Sequence, residues 1–226
     1  WQRCTANGPA GDCGDTVASL MFSKSSDGGL TWSTAVKMAS AKLAPDACFC
    51  GFYGSLPNTN ERVSNIPVIG IDNSTGSFSG HLYVAFYKWN GTNLKVAVIT
   101  STDGGATWNK GVPVAPKSAA NDEFFPWLSV SSTGLVGVTW LDRRNDPSNI
   151  NYQAFSALSS TGGTRFASNR ALTPNLSNPF NDGFGGSFMG DYTGNSWLAN
   201  GKALFGAWTD TSNGVDGQDE VGALVR

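Results

Sequence analysis

Short runs of apolar and β-branched residues recur along the chain, separated by clusters of Gly, Asn, Asp, Ser and Pro. That spacing predicts β-strands joined by tight turns. Stretches 65–72, 81–87, 94–100 and 108–114 make four strands in succession. A second set runs through 124–130, 135–141 and 150–158 and closes near Ala171. A third set has three members, 190–197, 203–208 and 221–226. At the front, 16–23 reads as a third strand, and Trp1 fits the slot that Phe86, Trp140 and Trp208 occupy at the ends of later second strands.

The turn between the last two strands of a set carries a repeated phrase. Ser25-Ser26-Asp27-Gly28-Gly29-Leu30-Thr31-Trp32 returns as Ser101-Thr102-Asp103-Gly104-Gly105-Ala106-Thr107-Trp108, with a worn third copy, Ser159-Ser160-Thr161-Gly162-Gly163-Thr164-Arg165-Phe166. Each part has a turn-closing task. The Asp accepts backbone N–H bonds, the glycines supply positive φ, and the Trp is expected to drop back between sheets, so that Trp32 and Trp108 are buried.

The phrase resembles the Asp-box, the bacterial-neuraminidase repeat of the sialidase-like β-propellers. The resemblance implies an all-β propeller of four-stranded antiparallel blades, of which about three and a half are visible, with pieces at about 1–45, 62–115, 120–173 and 188–226 of a single domain. On this reading the chain begins inside a blade. The blades in front of it were cut off, left out or supplied by a second chain, because an open propeller exposes strand edges and apolar inter-blade surface.

Composition narrows the classes of function. Charged residues are 14%, Gly numbers 28 and aromatic residues are 12%, as suits many short strands with tight turns. A net charge of −2 offers no basic field for a phosphate backbone, so nucleic acid is not an expected partner. The apolar runs are too short to cross a bilayer as helices. Cys4, Cys13, Cys48 and Cys50 show no zinc spacing, and disulfides in an oxidising compartment fit them better. Secretion follows as the expectation, and the sequons at Asn73, Asn90 and Asn175 then permit glycosylation. The chain as given opens on no signal peptide.

Charge is scarce, and it gathers in the loops opposite the repeated turns: Glu61-Arg62, Asn121-Asp122-Glu123, Asp142-Arg143-Arg144-Asn145-Asp146, Asn181-Asp182, Asp191-Tyr192, Asp210, Asp216 and Asp219. Polar loops are often polar only because they are wet. The order is still informative. Glu123 opens a first strand and Arg143-Arg144 closes the second, similar to the sialidase arrangement in which a Glu precedes an Arg that grips the substrate carboxylate. Gly190-Asp191-Tyr192-Thr193-Gly194 resembles the position of that family's Tyr nucleophile.

The resemblance therefore implies catalytic roles for Tyr192 as nucleophile, Glu123 as its base and Asp191 beside it, and substrate-binding roles for Arg143, Arg144, Arg62 and Asp142. The chemistry suits those types. A carboxylate on the carbon under attack repels an anionic nucleophile, whereas a phenol deprotonated by a Glu is tolerated. Arginines hold the carboxylate by paired bonds, and a separate acid serves the leaving group. The chain departs from the family in lacking Phe-Arg-Ile-Pro, of which Arg62-Val63-Ser64-Asn65-Ile66-Pro67 is a loose echo. No cofactor is expected. Bound calcium is conceivable at Asp142 with Asp146, or at Asp216 with Asp219, although neither pair matches a known loop spacing.

Three functions stay open. The first is an exo-glycosidase of sialidase type, or a fragment of one, acting on terminal acidic sugars of a glycan. A second is a glycan-binding propeller that docks sugars on Trp127, Trp89 or Trp197 without turnover. The third is a polysaccharide lyase, for which His81, at the start of a second strand on the turn side, is badly placed as a base.

Overall fold

The computed structural model describes residues 1–5, 16–44, 54–63, 65–214 and 218–225. They form four antiparallel sheets in chain order. The first holds β1 (Gln2–Arg3), β2 (Val17–Phe22) and β3 (Val36–Lys42). The second holds β4 (Val68–Ile71), β5 (Leu82–Trp89), β6 (Leu94–Ser101) and β7 (Val112–Pro113). The third holds β8 (Glu123–Val130), β9 (Val136–Asp142), β10 (Gln153–Ser159) and β11 (Ala167–Ala171), and the fourth β12 (Gly194–Trp197), β13 (Leu204–Asp210) and β14 (Asp219–Val225). Every strand pairs with its neighbour in sequence. Among the described residues no helix is long and apolar enough to cross a membrane.

The sheets also pack in chain order. β3 lies against β5, β4 and β5 lie against β8, and β12 lies against β8 and β9. Strands in the middle of this stack are covered on both faces, which is why the apolar run from Leu82 to Tyr87 in β5 and the whole of β9 are buried. Tyr83, Val98, Phe124, Val138 and Trp140 belong to the larger core, while Leu20, Met38, Val84, Phe86 and Ile99 knit the first sheet to the second. The outer sheets alternate instead. β14 leaves Leu224 and β13 leaves Phe205 nearly half exposed, at 46% and 44%.

The strands follow the alternation that predicts them, but four start three or four residues late: β4 at Val68, β7 at Val112, β10 at Gln153 and β12 at Gly194. Trp108 and Asn109 belong to the turn, where Asn109 Oδ1 accepts from the backbone N–H of Thr100 and Gly111 at 3.0 Å each, so β7 begins only at Val112. Pro113 then sits on the sheet's outer edge, where its missing N–H costs no ladder bond. The fourth sheet starts at Gly194 rather than near Gly190.

The repeated turns close as their residue types demand. In the first, Asp27 Oδ1 accepts from the Thr31 N–H at 2.9 Å and Oδ2 from its hydroxyl at 2.5 Å, while Ser25 Oγ takes the Gly29 N–H at 2.8 Å. The second repeats this with Asp103, Thr107, Ser101 and Gly105 at 2.6–2.9 Å. Hydroxyl donors from Ser25 and Thr31, and from Thr107 and Ser101, hold both carboxyls well below the usual range. Thr161 in the worn copy still accepts the Arg165 N–H, at 3.2 Å, but supplies one oxygen where Asp supplies two.

The expectation that both turn tryptophans are buried needs correction. Trp108 is half-buried, edge-on to Phe22 of the preceding sheet at 5.6 Å, whereas Trp32 is 65% exposed. Trp108 gains its cover from the sheet before it, and among the described residues no sheet precedes Trp32's. Trp1 pairs with β2: its carbonyl accepts the Met21 N–H at 2.8 Å and its amino group donates to the Met21 carbonyl at 3.0 Å, but it is 53% exposed where Phe86, Trp140 and Trp208 are buried. Cys4 is not a free thiol; Cys13, Cys48 and Cys50, and any pairing with them, lie outside the described residues.

The two full copies of the turn allow a controlled comparison. Gly29 and Gly105 have φ of +92° and +91°, but a Cβ on Gly29 meets open space while one on Gly105 would sit 2.1 Å from the Phe22 ring. Gly29→Ala is expected to cost only backbone strain, about 1–2 kcal/mol. Gly105→Ala adds overpacking of about 1–3 kcal/mol, so chemical denaturation should rank it clearly below Gly29→Ala in stability.

Candidate functional site

The end of the stack opposite the repeated turns holds the charged loops, and their side chains divide into two kinds. Most are structural ties. Glu123 opens β8 with Oε1 on Lys95 Nζ and Oε2 on the Val96 N–H, both at 2.9 Å. Burial outweighs the lysine and pushes its carboxyl up to about 7. Asp122 beside it takes the Leu94 N–H at 2.8 Å and Asn149 Nδ2 at 2.7 Å.

Arg143 is wholly buried. Its guanidinium donates to the carbonyls of Pro57 at 2.8 Å and Asn149 at 3.0 Å and to Thr59 Oγ1 at 3.2 Å, lies 3.7 Å from Asp122 Oδ2 and covers the Phe124 ring. It ties the 57–59 loop to the third sheet. Arg144 stacks on Phe155 at 4.2 Å and donates to Asp142 Oδ2 at 2.5 Å. Asp142 is filled by Trp140 Nε1 and the Arg144 N–H, both at 2.8 Å. Neither Arg143 nor Arg144 offers an open fork to a carboxylate ligand.

The second kind stands at the surface, Asp191 and Tyr192 more openly than Arg62, whose side chain is 19% exposed. Arg62, before β4, reaches Asp191, before β12, with Nη2 at 2.5 and 2.7 Å from the two carboxylate oxygens. The Arg62 guanidinium also rests on the Phe188 ring at 4.4 Å. Asp191 is 45% exposed and the adjoining Tyr192 is 80% exposed, with no hydrogen bond to its hydroxyl among the described residues. The structure thus brings together Arg62, Asp191 and Tyr192. It does not bring Glu123 to Tyr192, because both Glu123 oxygens are committed to the second sheet.

Two further residues make this cluster, and neither stands among the candidate site residues read from the sequence. Asp182 is buried, and its carboxylate collects the N–H groups of Phe184, Gly186, Ser187 and Phe188 at 2.7–3.0 Å, folding 183–188 around itself. An Asp followed by Gly183, Gly185 and Gly186, all with positive φ, is the local signal of such a nest. That loop delivers Phe188 to Arg62 and the Met189 N–H to Glu61 Oε1, at 2.5 Å. Glu61 is wholly buried with Oε2 unpartnered, and burial drives its carboxyl up to about 8. A carboxyl that burial keeps protonated at neutral pH therefore stands next to Arg62 in the chain.

The oxygens considered for calcium are filled by the chain. Asp146 takes the N–H groups of Ser148, Ile150 and Asn151 at 2.6–3.2 Å, and Asp216 lies outside the described residues. Among the described residues no three His, Cys, Asp or Glu side chains group as a metal cage.

No family model matches the chain, and no curated protein matches it. Solved structures do. A Hadza microbial sialidase superposes with a TM-score of 0.52 at 14% identity over 92% of this chain and 38% of its own. An α-L-arabinanase of Penicillium chrysogenum, solved with arabinobiose, superposes with a TM-score of 0.51 at 11% identity over 93% of this chain and 57% of its own. The chain spans about two-fifths to three-fifths of these structures. At such identity the likeness establishes a fold of the β-propeller glycosidase kind.

Glu61 gives the site a pH signature. Its carboxyl keeps a proton in the folded chain after the unfolded chain has released it, so folding binds a proton between the ordinary value of 4.5 and about 8. Stability from this group is full below about 4.5 and falls as pH rises towards 8; Glu123 slopes the same way up to about 7. Glu61→Gln keeps an oxygen for the Met189 N–H and does not ionise, so melting temperatures measured from pH 4.5 to 8.5 should fall less steeply in the variant. Identical slopes would refute the buried, neutral Glu61.

Proposed function

We propose that the chain is part of a secreted, sialidase-like glycoside hydrolase that acts on terminal acidic sugars of glycans, with its substrate end at Arg62, Asp191 and Tyr192. The observation that carries the reading is the Arg62–Asp191 contact. It joins the entrances of two first strands 129 residues apart, where Asp191 is 45% exposed beside the exposed Tyr192 and the Arg62 guanidinium rests on an aromatic ring. In the proposed complex the sugar carboxylate displaces Asp191 from Arg62. That frees Asp191 as a carboxylate one residue from the Tyr192 hydroxyl. The neutral Glu61 behind the arginine avoids adding a second negative charge to the pocket, which favours an anionic ligand.

Binding without turnover is the second reading. It is favoured by the solvent-facing Tyr192, whose hydroxyl has no base at hand, since a phenol near pKa 10 is a weak nucleophile without one. Trp127, 38% exposed in β8, offers a stacking face for it.

Fluorogenic sialosides and arabinofuranosides, with a sialylated glycan array beside them, separate the outcomes. The expected result is release from the sialoside. Arg62→Ala should weaken carboxylate binding about ten- to a hundredfold, as the loss of a charged hydrogen bond does. Tyr192→Phe should abolish turnover while binding persists. Sialoside binding without turnover in the unaltered chain would move the conclusion to the second reading, and loss of neither binding nor turnover in Arg62→Ala would overturn both.

A further inference from the structure

On the opposite end, among the repeated turns, a cavity of about 340 Å³ opens between the second and third sheets. Its size falls within the range of about 300–1,000 Å³ usual for small-molecule sites. His81 and Thr100 come from the starts and ends of β5 and β6, Trp108 from the second repeated turn, Phe78 from the loop before β5, and Gly162 from the worn turn of the next sheet. Gly162 is pressed so close that a Cβ there would lie 2.5 Å from the Phe78 ring, so the wall is a packed junction of two sheets.

Two properties of this wall restrict its ligand. The first is the absence of charge: no Asp, Glu, Lys or Arg side chain lines it among the described residues. An anion or cation would be desolvated there without a partner. The second is unused hydrogen-bonding capacity. Thr100, 7% exposed, has no partner for Oγ1, and Nδ1 of His81 is buried without one. Such orphans are rare and costly in the interior. Neither atom is spent on a protein hydrogen bond, and the His81 ring lies beside those of Phe78 and Tyr83, at 5.5 and 6.3 Å. The Trp108 and Phe78 rings supply apolar faces beside them.

We infer that this cavity is a second carbohydrate site, taking one neutral sugar residue whose ring lies against Trp108 and Phe78 and whose hydroxyls bond His81 and Thr100. A purely apolar ligand would leave those two groups unsatisfied, and a charged one finds no counter-ion. A neutral polyol with one apolar ring face meets both conditions. The site stands independently of the acidic-sugar end, and it places neutral sugar recognition at the other end of the stack.

His81 is the only histidine of the chain, so its ring protons give a single pair of assignable NMR signals. Methyl β-D-galactopyranoside, methyl β-D-glucopyranoside and methyl α-L-arabinofuranoside are the probes, with N-acetylneuraminic acid as the charged control. At least one neutral glycoside should shift the His81 signals saturably, and the acid should not. Thr100→Val, isosteric at a buried position, should weaken that binding about five- to tenfold, the worth of one hydrogen bond. The exposed substitution Thr102→Arg, which projects a long side chain into the mouth, should remove it without unfolding the chain. Arg62→Ala at the other end should leave it unchanged. His81 signals unmoved by every neutral glycoside up to the solubility limit, or shifts that survive both Thr100→Val and Thr102→Arg, would overturn the inference.

Discussion

The charged end of the molecule hangs on one buried guanidinium. Arg143 spans three segments that are far apart in sequence: the 57–59 loop before the second sheet, the Asp122 corner that opens the third, and the 142–149 loop that carries the arginine itself. A charge taken wholly out of water is costly unless its donors are filled, and burial draws the pKa of this one down to about 10. The donors shown are filled mainly by backbone carbonyls, so what Arg143 specifies is where the loops stand. Glu61 and Arg62 follow directly on the residues it holds, and through them the contact to Asp191 depends on it.

This inverts the roles that residue type suggests. Three arginines and three acids among the loops at one end of the stack invite the reading that all of them meet substrate. The interior claims most of them instead, because each loop end leaves N–H and C=O groups that need partners once they are buried. Glu123 fills the Val96 N–H, Asp122 fills the Leu94 N–H, and Asp182 fills four amides in one turn of chain. Scarcity makes the division sharp. With charged residues at 14% of the chain, those spent on loops leave little over at this end, and Arg62 and Asp191 differ from them in being paired with each other across two sheets.

What could be read along the chain and what could not follows the range of the interactions. Strand alternation and turn chemistry are local, so the sheets, their consecutive pairing and the Asp27 and Asp103 clips were legible from residue order. The fate of the turn tryptophans was not, since the cover over Trp108 comes from Phe22, 86 residues earlier, and the same phrase without such a neighbour leaves Trp32 in solvent. Arg62 and Arg143 are likewise the same residue type in similar loops. Only partners 84 to 129 residues away make one a tie and the other a surface contact. Glu61 was legible only as one of the loop charges, because its raised pKa comes from burial and its partner, the Met189 N–H, lies 128 residues away, which a window of sequence cannot show.

The two ends of the stack use polar groups in opposite ways, and the topology explains why. At the loop end long irregular segments must be pinned, such as the connection from Ala171 to Gly194, and ionised side chains are the strongest pins available for buried amides. At the turn end the two full copies close their own hydrogen bonds with a Ser, an Asp and a Thr drawn from within eight residues, and the worn copy does so with Ser159 and Thr161. Most polar groups at the junction of the second and worn copies are spent inside those turns, which leaves the junction without ionised pins, and Thr100 Oγ1 and His81 Nδ1 alone of its lining stand buried without a partner among the described residues.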